Sequence, residues 1–196
     1  MADAASGGVA GEKAALRRRL LADRARLGPG QRAAAARALR DAILELPQAQ
    51  MAGTIAVYYS LAYEPGTHGL VYALWKRGGY VLLPLLRPDA DLDWASYEGP
   101  DSLRPGPRGL TEPSEPPRGP GDRSGVRLGR GGGSYDRALA RVGPGIPTIA
   151  LLYDGELLDE VPAAAHDQRV RLVARPSAGI TSLPIDAEGA ESRAMD

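Results

Sequence analysis

Apolar residues in this chain fall into helical stripes at the start and compact apolar runs further on. From Lys13 to Leu27, the residues Leu16, Leu20 and Leu27 recur close to helical spacing with arginines between them, and Gly28-Pro29 ends the stripe. A second stripe, Ala35, Leu39, Ile43 and Leu46, predicts a helix over about 31–46 that stops at Pro47. Together they predict an N-terminal helical hairpin. Thr54 to Ser60 (TIAVYYS) and Tyr80 to Leu86 (YVLLPLL) are nearly continuous apolar runs, separated by a helix-like Gly69 to Lys76 that closes at Gly78-Gly79. That is a βαβ unit. Since neither run alternates strictly, both strands should be covered on two faces, as in a parallel sheet between helices.

The middle of the chain reads differently. Arg87 to Ser124 contains eight prolines and five glycines, which predicts loop with a short strand or turn near Trp94 to Tyr97. Regular structure returns with the glycine run Gly129 to Gly133, a helix over Ser134 to Val142 and a strand over Pro147 to Tyr153. Gly155 to Glu160 suggests a short helix, and the alternating Arg169 to Ala174 suggests a last, edge-type strand. The expected organisation is one domain over 12–175, flanked by disordered tails at 1–11 and 176–196. Its expected class is α/β: a three-layer αβα fold with a mostly parallel sheet.

Composition narrows the function classes. The sequence has 196 residues, no cysteine and no phenylalanine, so Leu, Val, Ile and Ala must fill the core, and disulfides and thiolate metal sites are excluded. Absence of cysteine fits a reducing cytoplasm. Lys plus Arg and Asp plus Glu both number 24, which leaves no global field to draw the chain to nucleic acid or a membrane surface. Met1 to Gly11 has no apolar export core, and no run approaches the roughly 20 residues of a membrane span. The expectation is a soluble cytoplasmic monomer acting on small molecules, with neither nucleic acid nor membrane as partner.

The stretch with most chemical content is Gly125 to Arg137, GVRLGRGGGSYDR. Its glycines let several backbone N–H groups point into one concavity, the helix start adds a positive dipole end, and Arg127 and Arg130 add full charge, so an anion would sit well there. Asp136 has the chemistry to hold a Mg²⁺ that bridges phosphate oxygens. The plainer reading is a flexible glycine loop before an ordinary helix. No Gly-Lys-Ser/Thr follows and no strong strand precedes, so the stretch is neither a Walker A loop nor a dinucleotide fingerprint. Lys13 and Arg17, four residues apart on one helical face, are a polyphosphate-binding pair or simply a solvated face. Glu64 follows the TIAVYYS run at the carboxyl end, where parallel sheets bind ligands, or decorates the turn at Pro65-Gly66. Asp89, Asp91 and Asp93 open like a calcium loop, but Trp94 and Pro100 stand where its glycine and closing Glu belong. His68 and His166 are too few and too far apart for a histidine metal site.

Several stretches then point the same way: KAALRRRL, IAVYYSLAYEPGTHGLVYALWKRGGYVLLPLL, LDW at 92–94, GLTEP at 109–113, GVRLGRGGGSYDRAL, and ALLYDGELLDEVPAAAHD at 150–167. Their order and spacing resemble the 5-formyltetrahydrofolate cyclo-ligase family. The resemblance implies a Mg-ATP reaction in which the formyl oxygen of 5-formyltetrahydrofolate is phosphorylated, N10 attacks the activated carbon, and phosphate leaves to give 5,10-methenyltetrahydrofolate. It implies further that Lys13 and Arg17 touch the ATP phosphates and that Gly129, Arg130, Gly131, Gly132 and Gly133 cradle them. Asp136 would bind Mg²⁺, Arg130 and Tyr135 would serve the chemistry beside ATP, and Leu61, Glu64, Arg130 and Ser134 would hold the folate. Three positions depart from the family pattern. Ser134 replaces an aromatic, Arg118 to Ser124 stands in place of an apolar strand, and Arg171 replaces an acidic residue after the His166-Asp167 run. The alternative is a catalytically impaired relative that binds nucleotide, folate or a partner without turnover. Zero net charge disfavours a nucleic-acid module.

Overall fold

The computed structural model describes residues 2–117, 133–164 and 167–184. The first stripe forms α1 (Ala2–Arg26), the second α2 (Pro29–Glu45), and a single turn, α3 (Pro47–Met51), follows. Pro29 sits in the first turn of α2, where its missing N–H is harmless, and Gln31 Oε1 accepts the Gly28 N–H at 2.8 Å. The chain continues through β1 (Thr54–Ala56), α4 (His68–Lys76), β2 (Tyr80–Leu86) and β3 (Leu92–Ser96), then β4 (Leu103–Pro105) and β5 (Thr111–Pro113). After 118–132 come α5 (Ser134–Ala140), β6 (Ile149–Leu151), β7 (Leu172–Arg175) and β8 (Gly179–Ser182).

The period of two along the strands sorts side chains to opposite faces. Ile55, Val57, Val81 and Leu83 join Leu39 and Ile43 of α2 and Leu70, Val71 and Leu74 of α4 in the main core. Ala56, Leu82, Leu92 and Trp94 turn the other way, onto Ala138 and Tyr135 of α5. The result is helix, sheet, helix: an α/β fold in three layers. Leu39, Leu82 and Leu83 are fully buried, each worth roughly 1.5–3 kcal/mol of apolar transfer.

The sheet differs from the expectation of a mostly parallel one. β1–β2 and β6–β7 are parallel, whereas β2–β3, β4–β5 and β7–β8 are antiparallel. The antiparallel pairs arise where short turns join consecutive strands, a connection that parallel neighbours cannot use. Three sheets result, two of three strands in the orders β1-β2-β3 and β6-β7-β8 and one formed by β4 and β5. Ile55, Val57, Ile149, Leu151 and Ala174 share one core cluster, so both three-stranded sheets back onto the same interior. An apolar cavity of about 370 Å³ opens between their terminal strands, lined by Ile55 of β1, Ile149 and Leu151 of β6, Ile43, Leu74 and Ala49 among others.

Other differences are local. α1 starts at Ala2, so residues 2–11 are helix rather than tail; Ala2, Ala4, Ala5 and Ala10 are strong helix formers onto which the nucleated helix extends. The opening helices are consecutive but do not make a pair closed on itself: α2 packs on α4, β7 and β8, and α1 is tied by Arg24 and Lys13 to Glu156 and Asp167. β7 is the central strand of its sheet, not an edge, because residues 179–182 return beside it where a disordered tail was expected. Gly155 to Glu160 forms a turn instead of a helix. Residues 185–196 of the expected tail lie outside the described residues. No helix among the described residues is long and apolar enough to cross a membrane.

Candidate functional site

The loop after β1 is built by its own side chains. Val57 still donates to Leu82 O at 2.9 Å, but beyond it the polar groups turn inward. Thr67 Oγ1 accepts the Ser60 N–H (3.0 Å) and donates to Tyr58 O (2.6 Å), while the Thr67 N–H donates to Ser60 Oγ (3.0 Å). The Tyr58 hydroxyl donates to Pro65 O at 2.7 Å, and the His68 ring stacks on Tyr59 at 3.9 Å with Nε2 2.8 Å from Ser60 O. These hydroxyls compete with the ladder for the backbone, and this ends β1 at Ala56 instead of Ser60. His68 is accordingly a packing residue, and among the described residues no group of three or more His, Cys, Asp or Glu gathers as a metal site. His166 lies outside them.

Glu64 stands on this loop. Its carboxylate accepts the Leu61 N–H at 2.7 Å, and its own N–H donates to Leu61 O at 3.1 Å, closing a turn in which Tyr63 holds φ 68°. The Glu64 carbonyl accepts the Tyr153 hydroxyl at 2.9 Å. Around Tyr58 several groups converge. Burial pushes its hydroxyl well above the ordinary tyrosine range, Glu64 pushes the same way, Arg24 opposes, and Tyr135 and Tyr153 are close enough to contribute. Tyr135 is carried by α5 and Glu64 by the β1–α4 loop.

A second meeting point lies at 164–168. Lys13 of α1 forms an ion pair with Asp167 Oδ2, which also accepts the Ala164 N–H at 2.7 Å. On the next residue, the Gln168 N–H donates to Asp136 Oδ1 at 3.1 Å. Lys13 and Asp136, far apart in sequence, are therefore held by neighbouring residues of one loop. Arg17 is exposed, one turn along α1 from Lys13.

α5 is set by its neighbours on the β2–β3 turn. Gly133 precedes it at φ 68°, a conformation that disfavours side chains. The Ser134 hydroxyl and the Arg137 guanidinium each donate to Ala90 O at 2.5 Å, and Arg141 grips the Asp91 carboxylate at 3.0 and 3.3 Å. Burial alone would raise the Asp91 pKa, but the Arg141 hydrogen bond, the Leu92 N–H and the Arg141 and Arg137 charges outweigh it and hold it below the ordinary value. Gly129, Arg130, Gly131 and Gly132, with Arg127, lie outside the described residues, as do Arg118 to Ser124. The Arg171 backbone N–H donates to Thr148, beside the β6–β7 register.

Arg24, Tyr153, Glu156, Asp167 and Gln168 were not singled out from the sequence. Their signal was present in one stretch, since Tyr153, Glu156 and Asp167 all lie in ALLYDGELLDEVPAAAHD, but nothing local says that α1 and α5 meet it.

A layered α/β fold with cationic, acidic and aromatic side chains gathered by loops places the chain among the α/β proteins, an architecture that hosts many unrelated activities. A model of the 5-formyltetrahydrofolate cyclo-ligase family matches residues 9–176, and the chain belongs to that family. It is 36% identical over 192 residues to the 5-formyltetrahydrofolate cyclo-ligase of Mycolicibacterium smegmatis, covering 87% of this chain and 97% of that one. The Escherichia coli K12 5-formyltetrahydrofolate cyclo-ligase is 28% identical over 183 residues, covering 82% and 95%. In fold, the chain is similar to the Aquifex aeolicus 5,10-methenyltetrahydrofolate synthetase, with a TM-score of 0.75, 22% identity and coverage of 88% and 93%. The Mycoplasma pneumoniae 5,10-methenyltetrahydrofolate synthetase gives a TM-score of 0.62 at 19% identity, covering 83% and 97%.

Proposed function

We propose that this chain carries out the reaction of its family, the ATP-dependent conversion of 5-formyltetrahydrofolate to 5,10-methenyltetrahydrofolate. The γ-phosphoryl group of ATP passes to the formyl oxygen and ADP leaves. N10 then attacks the activated carbon, loses its proton, and phosphate departs to leave the N5–C–N10 bridge. What supports this reading is that Lys13 and Asp136 are held by consecutive residues, Asp167 and Gln168, since a cation and a carboxylate are the groups that magnesium-bound phosphate calls for.

In this reading Lys13 and Arg17 neutralise phosphate charge from α1, while Gly129 to Gly133 and Arg130 supply N–H groups and a guanidinium. Asp136 would be an oxygen donor to Mg²⁺, an ion commonly held by one or two carboxylates together with phosphate oxygens and water. When bound, Mg²⁺ supplies charge neutralisation at the transferring phosphoryl group. Leu61 and Glu64 hold the pterin from the rigid loop after β1, and Tyr135 lines the space between. Ser134, whose hydroxyl also anchors α5 to Ala90 O, and Arg130 complete the folate side of the site. A cytoplasmic monomer that needs neither nucleic acid nor membrane fits the cysteine-free, charge-balanced composition.

The test mixes purified protein with 5-formyltetrahydrofolate and Mg-ATP and follows methenyl absorbance. Rising absorbance that needs both substrates is expected. A flat trace at high enzyme, with ATP binding retained, would overturn the catalytic reading in favour of a relative that binds without turnover.

A further inference from the structure

Three elements distant in sequence meet beneath Glu64. From the C-terminal end of α1, Arg24 donates to Glu156 through Nε (2.5 Å) and a terminal nitrogen (3.0 Å). Both side chains are largely buried, at 15% and 7% exposure, where a bidentate pair is shielded from competing water. Burial works against the Arg24 charge, yet the Glu156 bond more than offsets it and keeps the guanidinium pKa above its ordinary value. Glu156 Oε2 also accepts the Tyr153 N–H at 2.9 Å, and the Arg24 guanidinium lies 5.9 Å from the Tyr153 ring centre. The far end of Tyr153 then reaches the Glu64 carbonyl at 2.9 Å. The same turn is braced from α2, where the Arg32 guanidinium sits 5.2 Å from the ring of Tyr63, the residue held at φ 68°.

We infer that Arg24, Glu156 and Tyr153 are positioning residues for Glu64, transmitting the placement of α1 to the loop that holds the pterin. This inference rests on the reading of Glu64 as a folate-binding residue. Lys13 and Arg24 lie on one helix, separated along its axis by roughly 16 Å at 1.5 Å per residue. α1 therefore joins the proposed phosphate end, where Lys13 meets Asp167, to the proposed pterin end. A strut of this kind matters because the reacting formyl oxygen and γ-phosphorus come from separate molecules, and their alignment depends on two grips being held at fixed separation. Tyr153 is the discriminating position. Its hydroxyl makes its hydrogen bond to the backbone from which the Glu64 carboxylate projects, not to the Arg24–Glu156 pair.

Tyr153→Phe removes that bond and leaves the ring in place. The dissociation constant of 5-formyltetrahydrofolate, by calorimetric titration, and its KM should rise about tenfold, with the KM for ATP changed less than about twofold. Glu64→Ala should raise both folate constants as well, and adding Tyr153→Phe to it should raise them no further, because the tyrosine acts through the residue already removed. A merely structural role would instead shift ATP and folate constants together and add to Glu64→Ala. Unchanged folate constants in Tyr153→Phe, with Glu64→Ala impaired, would overturn the inference and leave the reading of Glu64 standing. Unchanged folate binding in Glu64→Ala would overturn both.

Discussion

Single residues in this chain are set by partners that their local sequence does not name. Ser134 was expected to touch the folate, a reading that its sequence neighbours alone supply. Its hydroxyl anchors α5 to Ala90 O, beside the Arg137 bond to the same oxygen. Asp91 extends this junction through Arg141. Because its folded pKa lies below that of an unfolded aspartate, its contribution to stability is complete above the ordinary carboxylate range and is lost as pH falls through the folded value. Asp91→Asn should therefore cost about 0.2–1 kcal/mol at neutral pH, the range of a partly exposed ion pair, and nothing at strongly acidic pH. Urea denaturation of both proteins at the two pH values checks this; an equal cost at both would assign the effect to packing.

Elements follow the sequence wherever one pattern dominates. The run YVLLPLL became β2 over the expected residues, and the helical stripe before Gly78 became α4. β1 stopped short because Thr67 and Ser60 took over the backbone groups that a longer ladder would have used. Thr67→Val keeps the volume and removes the hydroxyl, leaving the Ser60 N–H and Tyr58 carbonyl buried without that partner. A loss of about 1–3 kcal/mol is expected from thermal denaturation, together with weaker folate binding, since Glu64 is carried by the same loop. Thr67→Ser, which retains the hydroxyl, should recover most of the affinity. If Thr67→Val lowers stability and leaves folate affinity intact, the loop's rigidity is irrelevant to the site.

Across the whole molecule, the feature without a counterpart in the predicted fold is the division into two three-stranded sheets over a shared core, with the cavity between β1 and β6. Apolar walls without neighbouring atoms forgo dispersion contacts, so filling the space should stabilise the protein. Ala49→Leu, from α3 into this cavity, should raise stability by about 0.5–2 kcal/mol with the folate and ATP constants unchanged. A lowered melting temperature would mean that the space is too shallow for a leucine. The sequence by itself determined the α/β class, the order of the main strands and helices and the family, because hydrophobic period and motif order are properties of the chain read in line. Tertiary structure alone decided that α1 leaves α2 for the loops at 153–167, that residues 179–182 make β7 central, and that Lys13 and Asp136 meet through Asp167 and Gln168. Those outcomes depend on which buried polar groups find partners across long sequence separations, and no local pattern encodes that choice.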